Sequence, residues 1–180
     1  MSLRLGGMGW VTPLGSDVGE VWHRLINGEE ATATTISDDP RGPAYPVFRV
    51  PAEVTAKAPA HPRLRRSSAI SRFAAIAGLA ALEDAGLEFD AEAAERTAII
   101  FAISNGGVIY TKRFYHDIVE SGAQAASPLL FPETVFNAPA SHLAAILGIT
   151  GASYTLVGDA AVGILAVSYT HLTLPTILRV

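Results

Sequence analysis

Thr97-Ala98-Ile99-Ile100-Phe101-Ala102-Ile103 constrains the fold of this chain more than any other segment. After the threonine it is unbroken apolar, until Ser104-Asn105-Gly106-Gly107 interrupts it. A short apolar run closed by turn residues reads as a strand buried on both faces, the pattern of a parallel sheet. Such a strand needs helices covering it, so the chain is expected to be a layered α/β domain.

The flanking text supplies those helices. Ser67–Ala85 carries Ile70, Phe73, Ala74, Ala77, Ala80 and Ala81 on one row and Ile76, Leu79 and Leu82 on a second. Apolar on most sides, with alanines allowing close approach, it reads as a helix held between layers and ended by Gly86. Val18, Val21, Trp22 and Leu25 mark a helix over about Asp17–Asn27, with Ser16 as the expected N-cap. A further helix is expected over Val108–Ser121, with Phe114 and Ile118 inward. Another follows Asn137, which is expected to cap it, with Pro139 in the first turn and Leu143, Ile146 and Leu147 as its apolar face. Short strands are expected at Leu3–Leu5, near Pro46–Val50 and at Tyr154–Val157, the last buried. Residues 31–62 read as a long Pro-, Thr- and Asp-containing excursion, and Ser127–Asn137 as an irregular loop.

Composition excludes several functions. The 180 residues are 17% charged and 49% hydrophobic with net charge −4, which disfavours phosphate-backbone binding, so no nucleic-acid partner is expected. The basic cluster Arg63, Arg65, Arg66 and Arg72 reads first as a solvated helix start and second as a dock for an acidic partner. The longest near-apolar run, Ile70–Leu82, is interrupted by Ser71 and Arg72 and is too short for a bilayer; the N-terminus lacks a signal-peptide core. A cytoplasmic protein with no membrane partner is expected. There is no cysteine, hence no disulfide, thiolate metal site or thiol nucleophile. Gly7-Met8-Gly9 lacks the third glycine of a dinucleotide fingerprint, and neither cofactor nor metal is expected.

Four blocks occur together in one known family. Gly9-Trp10-Val11-Thr12-Pro13-Leu14-Gly15 with Trp22 and Leu25, and Arg72-Phe73 through Ala80–Leu87, resemble the opening segments of β-ketoacyl synthases. Phe131-Pro132 to Asn137, and Leu147-Gly148 to Tyr154-Thr155, resemble what precedes their nucleophile. The resemblance covers about residues 3–166. It implies the N-terminal half of a thiolase-like layered α/β/α fold, normally dimeric, acting on acyl thioesters delivered by acyl carrier protein. In active members a cysteine stands where a buried strand turns into a helix, whose N-terminus favours thiolate and can hold an oxyanion. Here that text is Gly158-Asp159-Ala160-Ala161-Val162-Gly163, and with Gly163 in register Ala160 occupies the nucleophile's place. A methyl group cannot be acylated. Asp159, its polar neighbour, reads as a turn or cap residue, or more sharply as a ligand carboxylate. A one-residue shift would put Asp159 itself at the nucleophile position.

What the resemblance then implies is a cysteine-less partner subunit of the chain-length-factor type in fatty-acid or polyketide synthesis, as a homodimer or a heterodimer with an active synthase. The alternatives are a malonyl-thioester decarboxylase without condensation and a non-catalytic acyl-carrier binding module. Ser104, Asn105, Phe131 and Asn137 are the pocket candidates; Ser104 and Asn105 also read as a plain turn, and His142 as a core histidine. After Ala166 the helical period is lost. Val167–Val180 resembles one reading frame of the transposase adapter used in sequencing libraries, so 1–166 is expected to be an incomplete domain and 167–180 a non-native, irregular tail. His171 then carries no function. By itself the chain is expected to expose apolar faces and to be poorly soluble or molten.

Overall fold

A computed structural model describes residues 4–37 and 41–172, with side chains up to Thr170. In chain order it forms α1 (Val18–Ile26), β1 (Ala33–Ile36), β2 (Tyr45–Phe48), α2 (Ala52–Thr55), α3 (Ala69–Asp84) and α4 (Ala91–Arg96). Then come β3 (Ile99–Ile103), α5 (Val108–Ser121), α6 (Ala138–Leu147), β4 (Ser153–Val157) and α7 (Val162–Leu172). Two compact units result. Among the described residues, one holds Arg4, Ala60–Ala75 and 88–172; the other holds those of Leu5–Pro59 and Ile76–Leu87.

In the second unit, α1 buries Val21 and is capped by Asp17, whose Oδ1 accepts the Glu20 N–H at 2.7 Å. The expected cap Ser16 instead accepts a hydrogen bond from Lys57 Nζ at 2.7 Å. A carboxylate one residue closer to the helix is the stronger acceptor for its first-turn N–H groups. Arg24 donates to Glu29, and that hydrogen bond holds the Glu29 carboxyl below its ordinary value. The excursion over 31–62 is not structureless. β1 and β2 form an antiparallel hairpin pairing Ala33 with Phe48 and Ile36 with Tyr45, a pattern masked by Pro46, which a two-stranded hairpin tolerates because each strand is an edge. Of the expected Leu3–Leu5 strand, Leu3 lies outside the described residues, and Arg4 and Leu5 are not in a strand.

Gly7-Met8-Gly9 lies directly on α3. A Cβ on Gly9 would stand 2.0 Å from the Ala77 carbonyl oxygen and 2.8 Å from the Ala81 nitrogen, while the Met8 N–H donates to Asp84 Oδ2 at 2.8 Å. The alanine row of α3 is thus the surface that lets this backbone approach. Gly9→Ala forces the segment off the helix and, in the intact parent protein, is expected to cost about 2–3 kcal/mol, read as a lowered urea midpoint.

In the first unit β3 and β4 pair in parallel, from Ile99 opposite Ser153 to Ile103 opposite Val157. The connection between them carries α5 and α6, and α6 and α7 each pack on both strands. The mixed α/β class is as expected, as are the bounds of α5. On β3, Ile99 and Ile103 are buried; on β4, Ser153 and Val157 are exposed, which corrects the expectation of a buried strand there. With one neighbour each among the described residues, neither strand is fully enclosed. Phe114 and Ile118 on α5 are only half-buried. Leu143, Ile146 and Leu147 are likewise half-buried, because α6 buries its first turn, Ala138, Pro139 and Ala140, most deeply. α4 was not anticipated from periodicity; Asp90 Oδ1 caps it through the Ala93 N–H at 2.8 Å.

The expected irregularity from Val167 does not hold as far as Leu172. α7 continues through it, Thr170 Oγ1 donates to the Ala166 carbonyl at 2.8 Å, and the Tyr169 and Tyr154 rings meet at 5.5 Å. Extending an existing helix costs little once its first turn is formed, even for Val, Ser and Thr. Residues 173–180 lie outside the described residues. Among those described, no helix is long and apolar enough to cross a membrane.

Candidate functional site at the carboxyl ends of β3 and β4

Both strands of the parallel pair deliver a turn to the same edge. β3 runs into Ser104-Asn105-Gly106-Gly107 and then α5. β4 runs into Gly158-Asp159-Ala160-Ala161 and then α7. The Gly158 N–H donates to the Ile103 carbonyl at 3.1 Å, extending the pairing by one step and bringing the two turns side by side. Carboxyl ends of parallel strands are where α/β sheets present groups to ligands, and two helix N-termini here add unpaired N–H groups. Gly107, at the N-cap of α5, supplies no side-chain cap.

At the second turn Ala160 is exposed, and its side chain is a methyl. Asp159 Oδ1 accepts the Ala161 N–H at 3.0 Å, and the Asp159 carbonyl accepts the Val162 N–H at 3.1 Å. The plainer reading of Asp159, a turn residue opening α7, is the one its geometry satisfies. In the intact parent protein Asp159→Ala is expected to lose about 1 kcal/mol of stability, measured by urea unfolding.

Ser104 and Asn105 are exposed on the first turn. The loop over 131–137 packs on the glycines that follow them. A Cβ on Gly106 would stand 2.7 Å from the Phe136 ring, and one on Gly107 only 1.9 Å from the Glu133 carbonyl oxygen. Thr111 Oγ1 on α5 donates to the Thr134 carbonyl at 3.3 Å. The two expected pocket residues of this loop separate. Phe131 turns to α5, its ring 5.8 Å from that of Phe114. Asn137 stands exposed at the N-cap position of α6 but makes no side-chain cap bond, which corrects the expectation that it caps the helix. With φ −86° and ψ 1° its backbone is not in the extended conformation that aims a cap side chain at the first turn. Phe136, passed over in the sequence, is the loop side chain that meets the turn. Its signal was an aromatic in the same loop as Phe131, facing a Gly-Gly pair with room for it.

Under this loop lies a buried polar cluster that the sequence reading also missed. Glu133 is 5% exposed. Its Oε2 accepts the Ser68 N–H at 2.8 Å and the Ser71 hydroxyl at 3.5 Å. Its Oε1 pairs with His142 Nε2, while His142 Nδ1 is buried with no hydrogen-bond partner among the described residues. Ser67, Ser68 and Ser71 are all buried. The available signals were a Ser-Ser-x-x-Ser start to α3 and a single charged residue, Glu133, in the loop Ser127–Asn137. His142, read as a core histidine, is half-enclosed in this cluster rather than presented at the strand edge. The side chain of His171 is outside the description. Among the described residues, no group of three or more His, Asp or Glu side chains could hold a metal ion.

Comparison with known proteins places these features. Residues 5–172 match the family described as Beta-ketoacyl synthase, N-terminal domain. The chain is similar to 3-oxoacyl-[acyl-carrier-protein] synthase 2 of Vibrio harveyi, 28% identical over 152 residues, covering 81% of this chain and 35% of that protein. It is also similar to the synthase of the same name from Coxiella burnetii, 25% identical over 162 residues, covering 88% and 38%. Among solved structures, that titled "The ishigamide ketosynthase/chain length factor" superposes with a TM-score of 0.69 at 22% identity, covering 85% of this chain and 39% of its own. The chain thus spans little more than a third of the curated relatives it matches.

Proposed function

The chain belongs to the β-ketoacyl synthase family through its N-terminal domain, and from that footing we propose that it is part of a nucleophile-free subunit of the chain-length-factor type. Such a subunit would shape the acyl site of an active synthase in fatty-acid or polyketide-type assembly rather than condense acyl groups itself. Its fold is that of the thiolase-like N-terminal half. The observation that carries the reading is the β4–α7 turn. It has the strand-to-helix geometry suited to an activated thiol, yet Ala160 stands there and Asp159 is engaged with the backbone. Co-purification of the full-length parent with a cysteine-bearing synthase supports the proposal, and a stable homodimer with no synthase partner counts against it.

Two surfaces favour association. On α7, Ile164 and Leu165 are 77% and 56% exposed, apolar side chains we assign to contacts with the rest of the parent protein. The 180 residues alone are therefore expected to bind a hydrophobic dye and to melt without cooperativity; a sharp two-state melt of a soluble monomer overturns this. The second surface is basic. Arg63, Arg65, Arg66 and Arg72 are exposed around the start of α3. An acidic acyl carrier protein is the fitting partner. Reversing Arg63, Arg65 and Arg66 to glutamate in the parent is expected to weaken carrier binding at least about tenfold at low salt, an effect that fades as salt rises.

One observation favours a second reading. The uncapped start of α5 beside that of α7 offers N–H groups to a developing enolate oxygen without needing a thiol. Decarboxylation of malonyl carrier protein tests it, and no carbon dioxide above background removes it. The boundary at Ala166 is likewise a proposal, checked by reading the genomic DNA beyond its codon.

A further inference from the structure

Ser68 and Ser71 open α3 as an incomplete cap. Ser68 Oγ accepts the Ser71 N–H at 3.2 Å, as an N-cap serine does for the third helical residue. In a complete capping box that third residue is a Glu or Gln whose side chain reaches back to the N-cap N–H. Ser71 is too short for this. Glu133, sixty-five positions along the chain, takes the Ser68 N–H instead.

The same carboxylate faces donors only. Ser68 N–H and Ser71 O–H approach one oxygen and His142 Nε2 the other. The proton of a neutral His142 must therefore sit on Nε2, leaving the partnerless Nδ1 as a bare acceptor. An unpaired buried acceptor is better tolerated than an unpaired buried N–H, which reinforces that tautomer. The backbone of Glu133 meanwhile presses on Gly107, and its neighbour Thr134 accepts from Thr111.

We propose that Glu133 is a positioning residue: one buried carboxylate caps α3, fixes the His142 tautomer and seats the Phe131–Asn137 loop on the Ser104–Gly107 turn. The consequence for ligands rests on the acyl-site reading given above. Phe136 reaches that turn only while Glu133 holds the loop, so Glu133 would set acyl affinity without touching the acyl group.

The test uses the full-length parent labelled with ¹⁵N-histidine, the His142 signal being assigned by its loss in His142→Gln. The wild type is expected to show the Nε2–H tautomer. In Glu133→Gln the amide oxygen can keep the two serine donors, but the amide NH₂ then faces His142, so the tautomer is expected to invert to Nδ1–H. Hydrogen exchange of the loop amides over 133–137 is expected to speed up, and a fluorescent acyl-pantetheine to bind about tenfold more weakly. His142→Gln, which retains a donor near Nε2, is expected to keep slow exchange and near-normal affinity; His142→Leu is expected to lose both. An unchanged tautomer in Glu133→Gln, or unchanged loop exchange in both Glu133→Gln and His142→Leu, overturns the proposal. Should Glu133→Gln fail to fold, the contrast between the two His142 variants decides it. If the wild type binds no acyl probe, the acyl-site reading falls, while tautomer and exchange still decide whether Glu133 positions the loop.

Discussion

Ala160→Cys in the full-length parent is expected to take up one acyl group per chain from a medium-chain acyl thioester, seen as a single adduct by intact mass, while the wild type takes up none. The turn at Ala160 is exposed and opens directly into α7. A thiol there would lie beside the first-turn N–H groups at the positive end of the helix, an effect worth up to about 2 kcal/mol in favour of thiolate, or up to roughly one and a half units below the ordinary thiol value near 8.5. That raises the thiolate fraction at neutral pH from a few per cent to tens of per cent. The same N–H groups serve the tetrahedral oxyanion of acyl transfer. Asp159→Cys resolves the register. Acylation there but not at residue 160 places Asp159 at the nucleophile position. An unmodified mass in both variants removes the claim that this turn is a disarmed nucleophile site.

In the full-length parent Glu133→Ala is expected to have the largest effect on stability, about 3–5 kcal/mol, seen as a urea midpoint lowered by more than 1 M. The substitution leaves the Ser68 N–H and His142 Nε2 without their acceptor, while the fully buried Ser71 hydroxyl keeps only Ser68 Oγ, 3.0 Å away. Each buried donor left unpaired costs about 1–3 kcal/mol, and the vacated volume adds to this. A domain with about 5–15 kcal/mol of total stability cannot absorb much of that. Glu133→Gln, which keeps the volume and part of the hydrogen bonding, is expected to lose less than half as much. Equal losses for the two would mean that volume rather than hydrogen bonding holds the loop.

These predictions draw on different kinds of information. The strand, turn and helix around Ala160 were legible in the sequence because they are local patterns: an apolar run, a Gly-Asp pair and a small-residue helix start. The same is true of α5, whose ends are marked by Gly107 and Gly122, and of the α3 alanine row. The register that puts Ala160 at the nucleophile's place came from the family resemblance, through Gly163. The hairpin β1–β2 was half seen, since Pro46 weakens the strand signal and pairing partners are not written in either strand alone. The Asn137 cap failed because cap strength depends on backbone angles that residue type does not set. The helix through Leu172 was missed because periodicity measures amphipathicity, and a helix already nucleated needs little of it.

What the sequence by itself determined is the α/β class, the order of the strands and helices around the site, the family, and the absence of any thiol to carry acyl chemistry. All of these follow from residue types at short separations. Only the tertiary structure decided that Glu133 completes the cap of α3, that its partner His142 is fixed by it, and that Phe136 rather than Phe131 meets the Ser104–Gly107 turn. Those contacts join segments tens of residues apart. Their energies come from burial and from satisfying donors that no local pattern reveals as unsatisfied.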